Sequence, residues 1–322
     1  MKSQAFHQLL KSLKQLNSRQ RERLCDALMH HRREDQASET VQSLMGPCSA
    51  CPHCGSDRLY RHGLVRGLQR YRCKACKRTF TSLTGTPLGR LHHKGKWLTY
   101  AQSMLRSETV RQAAVTVGVH RNTSFRWRHR FLRWAKDDRP QHLQGITEAD
   151  ETYLLESEKG SRQLARKARK RGGSATKRGI SDEQICILVV RDRSGQTLDF
   201  VTGQGPVTKK QLLACLPPVL DGDSLLVSDG NPTYHFFAQE VALTHEAVNL
   251  SGGVRVRGAY HVQNVNAYHR RLKHWLDRFH GVATKYLPNY LGWRRAIDTH
   301  RLHTPTLLLR AAVGLFPQVS VT

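Results

Sequence analysis

The chain has 322 residues, 39% of them hydrophobic, which is enough for roughly two or three domains with real cores and excludes a disordered tail. Its 52 Lys and Arg residues against 25 Asp and Glu give a formal net charge of +27, so nucleic acid is the leading candidate partner and an anionic membrane surface the second. No apolar run reaches the roughly 18 to 20 residues that span a bilayer, and the first residues lack a signal-peptide core. We therefore expect a cytoplasmic protein, nucleoid-associated if it binds DNA.

Residues 1–45 are predicted to form a small helical segment, because leucines recur there at helical spacing. Asn17 or Ser18 would cap the second of two helices. The pattern leaves two roles open for this segment: a headpiece that contacts DNA or dimerises, and a packing appendage.

Eight cysteines in a reducing compartment favour metal binding over disulfides. Within residues 46–86, four of them have the spacing C-x2-C-x18-C-x2-C: Cys51, Cys54, Cys73 and Cys76. Each pair lies on a tight turn that directs two thiolates at one point, and four thiolates suit a tetrahedral zinc ion with no position left open for water. Gly55 permits the left-handed backbone that such a turn needs. The spacing predicts a zinc ribbon with structural Zn²⁺, and Cys48 is interpreted as a spare thiol.

Residues 92–138 are helical in pattern and are predicted to contain a helix-turn-helix, with Gly118 in the turn. The first helix would bury a small apolar face made of Ala113, Ala114 and Val117. The second helix is rich in arginine and would enter the DNA major groove. An ordinary helical hairpin remains the alternative. The candidate DNA contacts on the second helix are Thr123, Arg126 and Arg128.

Residues 145–300 read as strand, hairpin, helix, strand, helix, strand, helix, the order of a mixed α/β layer. The hairpin would turn at Ser194 and Gly195, and one helix would begin at Pro232. A basic insertion, 159–178, holds nine basic residues in twenty and no acid of its own. It is either a solvated loop or a grip on DNA phosphates. Its candidate DNA contacts are Arg166, Lys167, Arg169, Lys170 and Arg171.

The α/β region carries two aspartates near the ends of predicted strands. Asp150 lies in "ADETY", and Asp229 follows "LLVS" directly. A loop acid that caps the next helix is the simpler interpretation of Asp229. If the two strands are neighbours, the carboxylates converge and can bind Mg²⁺, which prefers oxygen ligands. Glu151 and Tyr153 would point to the opposite face of the strand.

The motifs "ADETY", "SDGNPTY" and "HVQNVNAYHRRLKHWLDRFHGVATKYLPNYLGWRR", in this order after a zinc ribbon and a helix-turn-helix, resemble DDE-type transposases of bacterial insertion sequences. The resemblance covers residues 45–300. More specifically, the chain resembles the ISXO-like group, whose members carry an N-terminal zinc ribbon. It implies a ribonuclease H-like catalytic domain over 145–300, followed by a tail, 301–322. The expected fold class is thus multidomain α+β.

The resemblance further implies that the domain cuts DNA at transposon ends and joins the 3′ hydroxyls to a target. Asp150 and Asp229 would bind catalytic Mg²⁺, two ions in all, with Mn²⁺ as a substitute. The third position falls on Asn266, as in a subgroup of these proteins. Lys273 would hold a phosphate near the cut, with a solvated cation on the helix surface as the alternative. An amide can coordinate Mg²⁺ but adds no charge.

The partners implied by the resemblance are double-stranded DNA, as transposon ends and target, and further copies of the chain in a homodimer or larger assembly. The alternative from another class is a regulator that keeps the zinc ribbon and the helix-turn-helix and binds DNA without cutting it.

Overall fold

The computed structural model describes residues 3–164, 166–169, 173–248, 253 and 256–315. The chain divides into two compact units. The first contains the residues up to Phe131 together with Thr304–Leu315, and the second contains Leu132–His303. The predicted zinc ribbon and most of the predicted helix-turn-helix region therefore fall in one unit, which also includes part of the predicted tail. None of the helices in the described ranges has the length and apolar character needed to cross a membrane.

The first unit begins with helix α1 (Ser3–Ser12) and the long helix α2 (Ser18–Met45). Asn17 is the cap of α2: its side chain accepts a hydrogen bond from Gln20 N at 2.9 Å, and the Gln20 side chain accepts one from Asn17 N at 3.0 Å. This reciprocal pair satisfies two backbone donors that the helix leaves open. Toward its C-terminal end, α2 buries Ala37 and Val41.

A small antiparallel sheet follows, with strands β1 (Leu59–Val65), β2 (Leu68–Cys73) and β3 (Thr79–Thr81) in that order. Its core is small, with Phe80 packed beside Cys51 and Cys73. So few apolar side chains bury little surface, and a sheet of this size needs a further source of stability such as a metal ion.

Three helices complete the continuous part of the first unit: α3 (Trp97–Leu105), α4 (Val110–Val117) and α5 (Arg121–Phe131). The apolar face predicted on α4 is confirmed, since Ala113, Ala114 and Val117 are buried. Gly118 ends α4 with φ +65°, a left-handed conformation that glycine adopts at little cost, and the chain then turns into α5.

The second unit is built on a five-stranded sheet of order β6-β5-β4-β7-β8. The strands are β4 (Ile146–Leu155), β5 (Gln184–Asp192), β6 (Thr197–Gln204), β7 (Leu225–Ser228) and β8 (Thr244–Ala247). β4, β5 and β6 pair antiparallel, whereas β4, β7 and β8 run parallel. The predicted hairpin is confirmed: Gly195 has φ +91°, and the Asp192 carboxylate accepts hydrogen bonds from Ser194 Oγ and Gln196 N across the turn.

Helices cover both faces of this sheet. On one face, α6 (Lys209–Cys215) and α7 (Pro232–Glu240) pack in a core with Ala149 and Tyr153 of β4. On the other face lie α8 (Gln263–Asp277) and α9 (Leu287–Asp298). Because side chains alternate along a strand, Glu148, Asp150 and Thr152 project toward α8.

The chain then returns to the first unit as helix α10 (Pro305–Ala312). Its buried residues Leu308, Leu309, Ala311 and Ala312 pack in a helical core with α3 and α5. The predicted tail 301–322 thus contains an ordered helix.

Candidate active site and cysteine cluster

Asp150 and Asp229 occupy neighbouring positions on two parallel strands. The pairing of β4 with β7 matches Thr147 with Leu226 and Glu148 with Val227. Continued by two residues, this register sets Asp150 beside Asp229, and adjacent strands lie about 4.8 Å apart. The structure therefore brings the two sequence-predicted carboxylates together at the end of β7.

Among the residues that the structure describes, hydrogen bonds occupy one oxygen of each carboxylate and leave the other open. Asp150 Oδ1 accepts from Glu151 N at 2.8 Å, and Asp229 Oδ1 accepts from Asn231 N at 3.1 Å. The simpler interpretation of Asp229 as a helix cap is wrong, because the Asn231 side chain caps α7 by accepting from Thr233 N at 3.0 Å. Asp229 only shapes the turn that precedes this cap.

The electrostatic surroundings of Asp150 favour a cation. Burial, followed by the negative charges of Asp229 and Glu151, raises the pKa of Asp150 to about 7, although Lys273 acts in the opposite direction. Across the described ranges, neither Asp150 nor Asp229 forms a salt bridge with a Lys or Arg side chain. Two adjacent carboxylates in this setting match the oxygen donors that Mg²⁺ and Mn²⁺ take from proteins.

Helix α8 is docked onto β4 by Glu148, which is fully buried. Glu148 Oε2 accepts hydrogen bonds from Asn264 N at 2.8 Å and Val265 N at 3.0 Å, the first turn of the helix. Its Oε1 accepts from the Asn264 side chain at 2.9 Å and from Arg193 Nη1 at 2.6 Å. A carboxylate is well placed there because the N-terminus of a helix carries a positive partial charge.

A second contact between α8 and β4 involves His269, whose Nδ1 lies 3.6 Å from Asp150 Oδ2. The two contacts match in spacing: Val265 to His269 rises about 6 Å along a helix, and Glu148 to Asp150 spans about 6.7 Å along a strand. The helix therefore runs alongside the strand. Burial, and then the charge of Lys273, lowers the pKa of His269 to about 4.

Asn266 and Lys273 lie on the side of α8 that carries His269, one turn to either side of it. Both side chains are exposed. The structure thus places the four predicted active-site residues on neighbouring elements: Asp150 lies in the middle of β4, Asp229 directly follows β7, and the amide and ammonium groups are on the adjacent helix.

Sequence reasoning missed the roles of Glu148 and His269. The available signal for Glu148 was its spacing of two from Asp150, which puts both on one face of a strand. The prediction that Glu151 faces the other way is confirmed, since its carboxylate accepts a hydrogen bond from Tyr234 OH of α7 at 2.6 Å.

The four predicted metal-binding cysteines converge in the first unit. Cys51 and Cys76 sulfurs are 3.7 Å apart, as are those of Cys54 and Cys73, and all four lie within 4.8 Å of one another. Sulfurs bound to zinc at about 2.3 Å form a tetrahedron with edges of about 3.8 Å, so this donor set fits zinc. Backbone N–H groups, first that of Cys76, help lower the pKa of Cys73 to about 6. In the described part of the chain, Cys48 is not among the clustered thiols.

Two comparisons identify relatives of this chain. Residues 142–294 match the family model described as the ISXO2-like transposase domain. The chain is also 30% identical over 247 residues to an uncharacterized protein in transposable element ISH50 of Halobacterium salinarum, a match that covers 75% of this chain and 82% of that protein. The chain belongs to the ISXO2-like family of insertion-sequence transposases.

This ISXO2-like chain also has low similarity to solved structures. One is a pre-cleavage Mos1 transpososome, at 13% identity and a TM-score of 0.21; the match covers 67% of this chain and 79% of that chain. Another is the Mos1 mariner paired end complex with Mn, at 14% identity and a TM-score of 0.22, with the same coverage.

One predicted DNA contact of this ISXO2-like chain needs correction. Arg128 is fully buried on the inner face of α5, beside Trp127, and its Nη2 donates a hydrogen bond to the Glu108 carbonyl oxygen at 2.7 Å. It stabilises the helical core and is not on the DNA-accessible surface of α5. Arg126 is exposed, and Thr123 is half-buried.

The basic insertion of the ISXO2-like domain is partly neutralised by acids from outside it. Arg166 pairs with the Glu156 carboxylate at 3.4 Å, and Arg169 donates to the Glu156 carbonyl oxygen at 2.6 Å and approaches Glu183 at 3.9 Å. The interpretation from sequence, that no acid neutralises this segment, took into account only residues 159–178 and not acids that the fold brings next to them. Lys167 is exposed. The predicted contacts Lys170 and Arg171 lie outside the described residues.

Proposed function

We propose that this chain is an active transposase that cuts DNA at the ends of its element and joins the resulting 3′ hydroxyls to target DNA. The observation that carries the proposal is the placement of Asp150 and Asp229 at matching positions of two parallel strands, beside the helix that bears Asn266 and Lys273.

Each residue has a distinct task in this proposal. Asp150 and Asp229 hold divalent cations through their open oxygens, and Asn266 adds an amide oxygen. Two Mg²⁺ ions held there would supply the activation of the attacking oxygen and the stabilisation of the leaving oxygen in an in-line displacement. Lys273 binds the phosphate at the cut. Glu148 keeps α8 in register with β4, so that Asn266 and Lys273 stay beside the carboxylates.

The rest of the chain holds the DNA. The sheet order, with three antiparallel strands followed by two parallel ones, supports a ribonuclease H-like domain. The cysteine cluster binds structural zinc in a zinc ribbon, and α4 and α5 form a helix-turn-helix that presents Arg126 and Thr123 to the major groove. Lys167 contacts the DNA backbone. Joining two transposon ends requires two active sites, so the working form is a homodimer or a larger assembly on DNA at the nucleoid.

Strand joining tests the proposal. Purified protein is incubated with labelled DNA that carries the ends of its element, a target plasmid and Mg²⁺, beside Asp229→Ala. The matched control is Asp223→Ala, since Asp223 is an exposed acid just before β7. We expect joined product from the parent and the control and none from Asp229→Ala, with DNA binding unchanged in all three. Binding without product from the parent, in Mn²⁺ as well as Mg²⁺, would instead support the DNA-binding regulator.

A further inference from the structure

His269 is a buried polar residue in the middle of α8, at the point where the helix meets Asp150. Its side chain is 9% exposed. Its Nδ1 faces Asp150 Oδ2 at 3.6 Å, and its Nε2 is buried without a hydrogen-bond partner among the described residues. An imidazole whose nitrogens make no hydrogen bond in a buried setting costs folding free energy, so its position calls for a functional explanation.

The geometry around Asp150 points to a ligand shared by the two side chains. Asp150 Oδ1 is occupied by the N–H of Glu151, so Oδ2 is the oxygen left open, and Oδ2 is the atom nearest His269. Their separation of 3.6 Å is too long for a hydrogen bond. Adjacent ligands around an octahedral ion with bonds of about 2.1 Å are about 3.0 Å apart, so a shift of about 0.6 Å would bring the two atoms to the spacing of adjacent ligands.

A second unpartnered group lies on the same face of the strand. Thr152 is 2% exposed, and its Oγ1 has no hydrogen-bond partner among the described residues. Thr152 follows Asp150 by two residues and therefore projects to the same side of β4. The strand face that carries Asp150 thus has two neighbouring side chains, those of His269 and Thr152, whose buried polar atoms lack a hydrogen-bond partner among the described residues.

We propose that His269 is a nitrogen ligand of the divalent cation held by Asp150. The inference rests on the proposed function, because it concerns the same active site. It names His269 as a second metal ligand from α8, besides Asn266. A neutral imidazole beside two carboxylates changes the character of the site. Mg²⁺ favours oxygen ligands alone, whereas Mn²⁺ accepts imidazole more readily, so the site should bind Mn²⁺ in preference to Mg²⁺.

Electron spin echo envelope modulation of bound Mn²⁺ tests this assignment directly. The full chain, with its zinc retained, is loaded with Mn²⁺ at one equivalent or less. We expect modulation from a directly coordinated ¹⁴N, and we expect this signal to change to a ¹⁵N pattern when only the histidines are labelled with ¹⁵N. The isotope experiment needs no substitution and therefore does not depend on a variant that folds.

Substitutions then identify which histidine is responsible. His269→Leu should remove the nitrogen modulation and weaken Mn²⁺ binding by about tenfold or more. The matched control is His274→Leu, because His274 is an exposed histidine on the same helix, and it should keep both properties. Thermal unfolding checks that both variants fold, and His269→Gln replaces His269→Leu if the latter does not.

The outcomes separate this inference from the proposed function. Bound Mn²⁺ without nitrogen modulation, or nitrogen modulation that survives His269→Leu, overturns the assignment of His269. The proposed function stands in that case if the parent protein still joins strands and Asp229→Ala does not. Failure of the parent protein to bind Mn²⁺ at all would overturn the assignment too, and with no strand joining it would overturn the proposed function as well.

Discussion

Removing the charge of Asp150 should stabilise the fold. The Asp150 side chain is 16% exposed, and its pKa is raised from the ordinary 3.8 to about 7, chiefly by burial and then by the charge of Asp229. A carboxyl whose pKa is raised in the folded state favours folding when protonated and opposes it when ionised. The penalty is therefore absent below about pH 4, grows as the pH rises from 4 to 7, and is constant above about pH 8.

The size of the effect follows from the shift. A difference of about three pKa units corresponds to about 4 kcal/mol of unfolding free energy, which is an upper estimate for a single site. Asp150→Asn replaces the carboxyl with a neutral group of similar shape. Without added divalent cations, the variant should exceed the parent in unfolding free energy by up to about 4 kcal/mol at pH 8 and by less than about 1 kcal/mol at pH 4.

Urea unfolding of the zinc-loaded full chain between pH 4 and 8.5 measures this difference. Asp223→Asn, an exposed acid in the same unit, should follow the parent protein throughout. Adding Mg²⁺ or Mn²⁺ should raise the stability of the parent and leave Asp150→Asn nearly unchanged, because the variant lacks the ligand. Parallel stability curves for parent and Asp150→Asn across this pH range would refute the argument that Asp150 carries an unrelieved charge.

Three further substitutions test other parts of the structure. Cys54→Ala should abolish zinc retention measured by elemental analysis while Cys48→Ala retains it, and equal zinc content in the two would contradict the four-thiol site. Thr109→Ala removes the capping box of α4 and should lower the unfolding free energy by about 1 kcal/mol in urea, and an unchanged midpoint would argue against the cap. Glu148→Leu leaves Arg193 and the first turn of α8 without their shared hydrogen-bond acceptor. It should lower the free energy of unfolding by about 3 to 5 kcal/mol and speed amide exchange in α8. Unchanged amide exchange in α8 would count against Glu148 as the docking residue.

Local patterns in the sequence predicted much of this architecture. The cysteine spacing, the Asn17 cap and the hairpin at Gly195 depend on residues within a few positions of one another, so a single stretch contains the whole signal. The convergence of Asp150 and Asp229 could be anticipated only in part. Asp229 directly follows the short strand β7 as predicted, but Asp150 lies in the middle of the long strand β4, and the parallel pairing of the two strands brings the residues together.

The error at Arg128 shows where charge misleads. The buried residues of α5 are Ser124, Trp127, Arg128 and Phe131, spaced i, i+3, i+4 and i+7, which is the pattern of an inward helix face. That pattern was present in the sequence, but the interpretation grouped arginines by charge and did not consider helix rotation. Arg128 is accommodated in the core because its guanidinium reaches a backbone carbonyl.

The contacts that dock α8 could not be predicted from local pattern. Glu148 and Asn264 are 116 residues apart in sequence, and their meeting depends on where α8 crosses the sheet. The same holds for His269 and Asp150. Helix periodicity indicates that His269 lies on an inward face, but it does not indicate which strand residue the face meets.

Helix α10 has a consequence for the order in which the protein matures. It contributes Leu308 and Leu309 to the helical core of the first unit, although it follows α5 only after the whole second unit. The ribosome therefore synthesises the whole five-stranded sheet and its helices before it synthesises α10, the last helix of the first unit's core. A chain that terminates before Thr304 would keep the cysteine cluster but lack α10. Completion of the first unit thus depends on translation having passed through the entire second unit.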